Sequence, residues 1–193
     1  MTVVTHDNEL ARRARRGDPE AAADLLTRIR PGVLRYCWAH LGSLGRGDQT
    51  PDDVAQDVCL AVFEALPRYQ DRGLPFTAFV YRVAAHKVAD AHRGASAATT
   101  RPIETVPEPI DDGWSPERHA VTADLSRRLL PLLDDLTAAQ REIIVLRVAA
   151  GLSAEEVGAV IGKSPAAVRM TQSRALARLR EWARQHAPDE VVA

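Results

Sequence analysis

Apolar residues recur along this chain at intervals of three and four, and strict alternation is scarce, so the pattern predicts helices. A short basic helix is expected over Glu9 to Arg16, ended by Gly17. Asp18 and Pro19 then open a second helix as cap and first helical residue, with Ala22, Leu25, Leu26 and Ile29 on one face. Pro31 is expected to restart the chain as a third helix carrying Leu34, Cys37, Trp38 and Leu41. Gly42 to Gly47 reads as a loop. Thr50-Pro51-Asp52-Asp53 is a helix start with acids in the first turn, where the helix dipole favours them. Val54, Val58, Ala61, Val62 and Ala65 line the inner face of that helix, which runs to about Leu66. After Arg72-Gly73, a long helix is expected from Leu74 to Arg93, with Phe76, Phe79, Val80, Val83, Ala84 and Val88 turned inward.

The periodicity stops at Gly94. The run GASAATTRPIETVPEPIDDGWSPE carries Pro102, Pro107, Pro109 and Pro116, and Glu104 to Glu117 holds five acids and no base. A structureless stretch of this length argues against one compact domain. It reads as an extended acidic linker between two domains. Beyond it, one helix is expected through Leu125, Leu129 and Leu132 to Leu136, and another from Thr137 carrying Ile143, Leu146 and Ala150. The run IIVLRV inside the latter has the composition of a strand, but its spacing fits a helical face better and Gly151 is a natural C-cap. Ser153 caps the next helix with Glu156 completing a capping box. Ser164 and Pro165 open the last one. The expected fold is all-α: two small helical domains, residues 1–94 and 118–185, joined by a flexible acidic linker over 95–117 and followed by a tail over 186–193.

The stretch GLSAEEVGAVIGKSPAAVRMTQSRALARLR then stands out. A short helix, the turn Ile161-Gly162-Lys163 and a longer helix make a helix-turn-helix pattern. On a helical wheel Val168, Ala175, Leu176, Leu179 and Trp182 face inward. Met170, Ser173, Arg174 and Ala177 fall opposite, flanked by Arg169, Arg178 and Arg180, and Gln172 falls on the inward side. Arginine reads guanine bidentately or holds phosphate, and the helix N-terminus accepts phosphate as well. A solvated basic face is the plainer reading of the same residues.

Composition sharpens this picture. Hydrophobic residues at 46% and charged residues at 26% make an ordinary globular balance. Net charge is −1, so attraction to nucleic acid has to come from local segregation of charge, which the last helix supplies. Cys37 and Cys59 lie in apolar helical patterns and read as reduced buried thiols, with a disulfide or redox switch as the alternative. No CxxC or Cys/His zinc spacing occurs, and His86, Asp90 and His92 lack a fourth ligand, so no metal or other cofactor is expected. There is no nucleotide-binding loop and no nucleophile constellation, which argues against an enzyme or a small-molecule substrate. The N-terminus has no apolar signal core, and no stretch approaches the ~18–20 apolar residues of a membrane span. A cytoplasmic protein with no membrane partner is expected.

The two halves together resemble a known family. Leu136-Thr137 with Gln140-Arg141-Glu142, Gly151-Leu152-Ser153 with Glu156-Val157, and Val168-Arg169 with Arg174-Ala175-Leu176 resemble region 4 of bacterial RNA polymerase sigma factors. Pro51-Asp52-Asp53-Val54-Ala55-Gln56-Asp57-Val58 and the series Phe76, Phe79, Ala84, His86, Asp90, Arg93 resemble region 2. Only a linker separates them, a layout similar to the extracytoplasmic-function (ECF) group of the sigma-70 family. The resemblance implies a non-enzymatic factor that binds core RNA polymerase, through its β and β′ subunits, and directs promoter-specific initiation.

It also assigns roles. Asp53, Gln56, Asp57 and Phe63 would grip the polymerase. Phe76, Phe79, Arg82, His86, Lys87 and Arg93 would melt and read the −10 element, although periodicity alone leaves Phe76 and Phe79 equally suited to a core. Ser164, Arg169, Met170, Ser173, Arg174 and Arg178 would read the −35 duplex. The family usually has Trp at the position of Phe79, Asn at that of His86, and Lys-Ser-Arg where this chain has Arg169-Met170-Thr171. The acidic linker is either a plain tether or a mimic of RNA in the polymerase cleft. Many ECF factors are held by an anti-sigma protein, which makes an anti-sigma factor a candidate partner. The rival readings are a stand-alone helix-turn-helix repressor, a helical hydrolase built on Asp52, Asp53, Asp57 and His86, and a module that only sequesters polymerase.

Overall fold

Helix α1 (Val3–Arg15) begins well before the expected Glu9, and Leu10, Ala11 and Ala14 form its buried apolar stripe. Asp7 extends that face inward, buried but bonded to Arg28 at 2.7 Å, a charge-assisted contact that offsets its desolvation. The protein is seen here in a computed structural model, described for residues 3–42, 49–71, 73–98, 132–133 and 135–186. Among these residues it is all-α, with no strand.

Gly17, at φ +89°, turns the chain, and Asp18 caps α2 (Pro19–Leu41) by accepting from the Ala21 N–H at 3.0 Å. Pro31 does not start a third helix as expected; α2 runs straight through it. Proline removes one hydrogen bond from the helix. Leu25 and Ile29 before it, and Val33, Leu34 and Cys37 after it, are all buried, and their continuous packing outweighs that single loss.

Helix α3 (Pro51–Ala65) starts with a capping box between Thr50 and Asp53 and tightens into a 3₁₀ turn at Leu66–Arg68. Val54, Val58 and Val62 are buried along its inner stripe. Helix α4 (Phe76–Ala98) is started from outside: Asn8 on α1 accepts the Phe76 N–H at 2.7 Å. It continues past Gly94, where the sequence suggested a break. A helical glycine costs about 1 kcal/mol without forcing an end. From Thr99 on, the expected linker lies outside the described residues, as do residues 118–131 of the following helix.

In the C-terminal half, Thr137 and Gln140 form a capping box for α5 (Ala138–Ile144), which passes into a π turn at Val145–Ala149. The run that resembled a strand is therefore helical. Ile143, Ile144, Val145 and Leu146 are all buried, so the segment shows a continuous apolar run rather than a stripe. Helix α6 (Ala154–Ile161) carries the Ser153–Glu156 capping box, and α7 (Pro165–His186) completes the fold. Among the described residues, no helix is long and apolar enough to cross a membrane.

The two halves are docked. Helix α4 packs against α6, and α2 against the π turn. Ile143, Val145, Leu146, Leu152, Val157 and Val168 join the same buried cluster as Leu25, Val33, Val58 and Phe76. A small second cluster of Leu136, Ile144 and Ala175 lies between α5 and α7.

Candidate nucleic-acid and partner interfaces

The helix-turn-helix is locked by backbone geometry. Gly162 ends α6 at φ +68°, a left-handed conformation that glycine takes without strain. Gly158 lies under the turn: a Cβ there would stand 2.5 Å from the Lys163 carbonyl oxygen. Ser164 then caps α7, its Oγ accepting from the Ala167 N–H at 3.2 Å. Val168 and Ala175 anchor the inner face, while Met170, Ser173, Arg174 and Ala177 are exposed on the outer one.

The sequence-predicted −35 residues thus lie on one exposed side, but their cations are not equivalent. Arg169 is paired with Glu155 of α6, and Arg178 holds Asp135 through two bonds at 2.7 and 3.1 Å. The bonded carboxylate and its charge raise the Arg178 pKa, reinforcing its cationic form. Arg174 has no ion-pair partner among the described residues and stands in the middle of the exposed face. Gln172 is half-buried at the rim, accepting from Arg147 Nε at 3.0 Å, which explains its place on the inward side of the wheel.

On α4, the aromatic pair divides. Phe76 is fully buried in a cluster with Tyr69 and Phe79, ring centroids 5.1 and 5.6 Å away. It offers no face to a base in this conformation, because its ring closes the core where α4 begins. Phe79 is half-buried and lines a cleft of about 370 Å³, together with Arg68, Tyr69, Gln70, Leu74 and Arg82. The segment between α3 and α4 therefore contributes an aromatic, an amide and a cation that periodicity did not single out. The signal was present as Arg68-Tyr69-Gln70, polar and aromatic residues just past a helix end.

Arg82, His86 and Arg93 lie along one exposed stripe of α4, and Lys87 is half-buried beside it. Arg82 donates to the Ala159 carbonyl of α6, and Arg93 pairs with Asp90. Among the described residues, no group of His, Cys, Asp and Glu is arranged to hold a metal. Cys37 is buried and Cys59 half-buried, both as free thiols. Burial first, then the neighbouring Cys59 and Asp52, pushes the Cys37 thiol up to about 12, so its reactive thiolate is scarce at neutral pH.

On α3, Asp53 is exposed, yet one of its oxygens is occupied by the Thr50 N–H and hydroxyl, each at 2.8 Å. Gln56 is exposed and Asp57 half-buried one turn on. Beside them Phe63 is 49% and Leu60 54% exposed, an apolar pair continuous with the polar face. Leu60 was not singled out from sequence. Its exposure matters because large apolar groups left next to unpaired polar ones mark a surface that receives a partner.

Residues assigned no role from sequence join the two halves, although Glu142 stands within the region 4 motif. Glu142 on α5 accepts from the Tyr36 hydroxyl, with its two oxygens 2.9 and 3.1 Å away. Its Oε2 also stands 3.2 Å from Nε2 of His40, close enough to pair with an imidazolium, although that nitrogen makes no aligned hydrogen bond. Burial, then the charge of Glu142, raises the Tyr36 phenol far above its usual range, which keeps it a donor.

Comparison with known proteins gives consistent matches. The chain matches the family described as Sigma-70 region 2 over residues 25–98 and Sigma-70, region 4 over 132–181. It is 51% identical over 177 residues to the ECF RNA polymerase sigma factor SigD of Mycobacterium tuberculosis, covering 92% of this chain and 80% of that protein. It is 47% identical over 180 residues to the ECF RNA polymerase sigma factor ShbA of Streptomyces griseus, covering 91% and 94%. Among solved structures, CnrH in complex with the cytosolic domain of CnrY resembles it with a TM-score of 0.70 at 26% identity, over 94% of this chain and 99% of that one.

Proposed function

The chain belongs to the ECF group of RNA polymerase sigma factors, and from that premise we propose how its faces divide the work of promoter-specific initiation. As a sigma factor it binds core RNA polymerase and promoter DNA; the paired region 2 and region 4 matches favour this over a stand-alone repressor. Residues 1–98, to the end of α4, form the polymerase-binding and −10 unit and residues 118–185 the −35 unit, with 99–117 rather than the expected 95–117 as their tether.

The outer face of α7, centred on Met170, Ser173 and Arg174, reads the −35 duplex in the major groove, with the capped N-terminus at Ser164 on a phosphate. The cleft beside Phe79 receives an unpaired base of the −10 element. A base leaving the stack is held by aromatic contact and by hydrogen bonds to its edge, and Tyr69, Phe79, Gln70 and Arg68 offer both. His86, Lys87 and Arg93 follow the backbone along α4. The α3 face of Gln56, Asp57, Leu60 and Phe63 docks on the polymerase, with Asp57 meeting a cation and the apolar pair filling a groove.

The observation that carries this reading is the coexistence, in one chain, of an exposed reading helix and a cleft that pairs aromatics with cations. No chemical step is assigned to the protein: melting is driven by capture of unstacked bases rather than by hydrolysis. The site of action is the cytoplasm, where polymerase and promoter are. An anti-sigma protein is a candidate regulator, and the similar CnrH is seen bound to a second protein, the cytosolic domain of CnrY. The test is reconstitution: core polymerase, this protein and a promoter library, with transcript starts sequenced. Starts clustered behind shared −35 and −10 sequences are expected; tight operator-like DNA binding by the protein alone, with no specific starts, overturns the reading.

A further inference from the structure

We propose that Met170 is a specificity-determining residue of the −35 reading face, and that it selects a thymine by the methyl group on C5. The inference deepens, and rests on, the reading of α7 as the −35 reader. Among the described residues of α7, Met170 is the only large apolar side chain left exposed, at 53%. It stands on the outer face with Ser173, Arg174 and Ala177, all of them exposed. The family usually has serine at this position, and a hydroxyl both donates to and accepts from base edges of different kinds. A methionine thioether is a weak acceptor and no donor, so it gains little from hydrogen-bonded readout. What it offers is an unbranched, polarizable apolar surface.

The fold fixes how that surface is presented. Val168 and Ala175 are fully buried on the inner side of α7, which sets the rotation of the helix. Gln172, two residues beyond Met170, accepts from Arg147 Nε at 3.0 Å. The same arginine donates to the Leu152 carbonyl, which ties α7 to the segment before α6. Gly162 and the Ser164 cap set where α7 begins. The cations on either flank are engaged within the protein, Arg169 with Glu155 and Arg178 with Asp135. The exposed middle of the face is left to Met170, Ser173 and Arg174.

Groove chemistry then names the partner. A recognition helix meets base edges with its N-terminal residues, and Met170 is the sixth residue of α7. Every base pair shows donors and acceptors in the major groove, but only thymine adds an apolar group, its C5 methyl. When a thioether covers that methyl, both surfaces leave water together. When it covers a polar edge, that edge loses water and gains no partner. One side chain therefore favours thymine and disfavours the other bases. Arg174 lies four residues on, about 6 Å along the axis. Successive bases are about 3.4 Å apart, which places the thymine within about two base pairs of a guanine read bidentately by Arg174.

The test uses core polymerase with the full chain on a promoter library whose −35 segment is randomised. Transcript yield for each −35 sequence is compared for the wild type, Met170→Ala, Met170→Leu and Arg174→Ala. The wild type should prefer thymine at one position by about fourfold, the worth of one buried methyl-sized group. Met170→Ala should level that preference and spare the others. Met170→Leu keeps the apolar bulk and should retain it. Arg174→Ala should level a guanine preference within about two base pairs of it. In one promoter from the library, deoxyuridine then replaces the thymine, removing only its methyl. The wild type should lose about fourfold in initiation and Met170→Ala nothing, a coupling that a merely structural role for Met170 would not produce. Absence of a thymine preference, its survival in Met170→Ala, or equal use of thymine and uracil by the wild type overturns the proposal. Starts that show no −35 preference of any kind overturn instead the reading of α7 on which it rests.

Discussion

The two units reach an exposed functional face by different means. In the N-terminal unit, long helices interlock through Leu25, Val33, Val58, Phe76 and Val80, and function lies on whatever faces that packing leaves out. In the C-terminal unit the helices α5 and α6 are short, and position is set by capping boxes at Thr137 and Ser153, by Gly162 in a left-handed turn, and by the close approach at Gly158. One unit is specified by volume, the other by backbone. The N-terminal unit should therefore be most sensitive to changes in core size, and the C-terminal unit to single atoms at its turn.

The largest effect should come from Phe76→Ala, which removes the ring joining Tyr69 and Phe79 in the core. It should cost about 3–5 kcal/mol in denaturant unfolding. A cost below 1.4 kcal/mol, a tenfold change in the folding equilibrium, would show that the aromatic cluster does not hold this unit together. Gly158→Ala should cost about 1–3 kcal/mol through one added methyl pressed on the Lys163 carbonyl. Its signature is local: hydrogen exchange should quicken across α6 and the turn and stay unchanged in α3. Uniform acceleration would erase the contrast between the units.

Smaller effects test the faces. Arg174→Ala should weaken −35-dependent initiation by about tenfold, within the 1–3 kcal/mol of a good base contact, and leave affinity for core polymerase intact. Equal loss of both would mean that the two units do not divide the work. Leu60→Ser and Phe63→Ser should each change stability by no more than ~0.5 kcal/mol, since both side chains are already half in water. Each should nonetheless weaken binding to core polymerase in a titration, and unchanged binding would remove the apolar pair from that interface.

Parts of this design were legible in the chain and parts were not. The helix-turn-helix was readable because caps and glycine turns act within four residues: Ser153 with Glu156, Gly162, and Ser164 before Pro165. The α3 polar face was readable because a single helix repeats every few residues. Pro31 and Gly94 misled for the same reason in reverse. Their local preference is to end a helix, and packing on both sides of Pro31 overrode it. Phe76 and Phe79 could not be separated by periodicity, because both belong to one stripe and only the packing of the helices leaves Phe76 fully buried and Phe79 half-buried at the cleft.

What the sequence determined by itself was the inventory: helices from the apolar spacing, a basic exposed helix from segregated arginines, and the motifs of two family regions. Those features depend on interactions within a turn or two of the chain. What only the tertiary structure decided was how the inventory is spent. Arg82 faces a carbonyl of α6, Glu142 meets Tyr36 across 106 positions, Leu60 remains outside the core, and a cleft opens beside Phe79. Each depends on which helix lies against which, and that choice is made by burial of the shared core rather than by any local pattern.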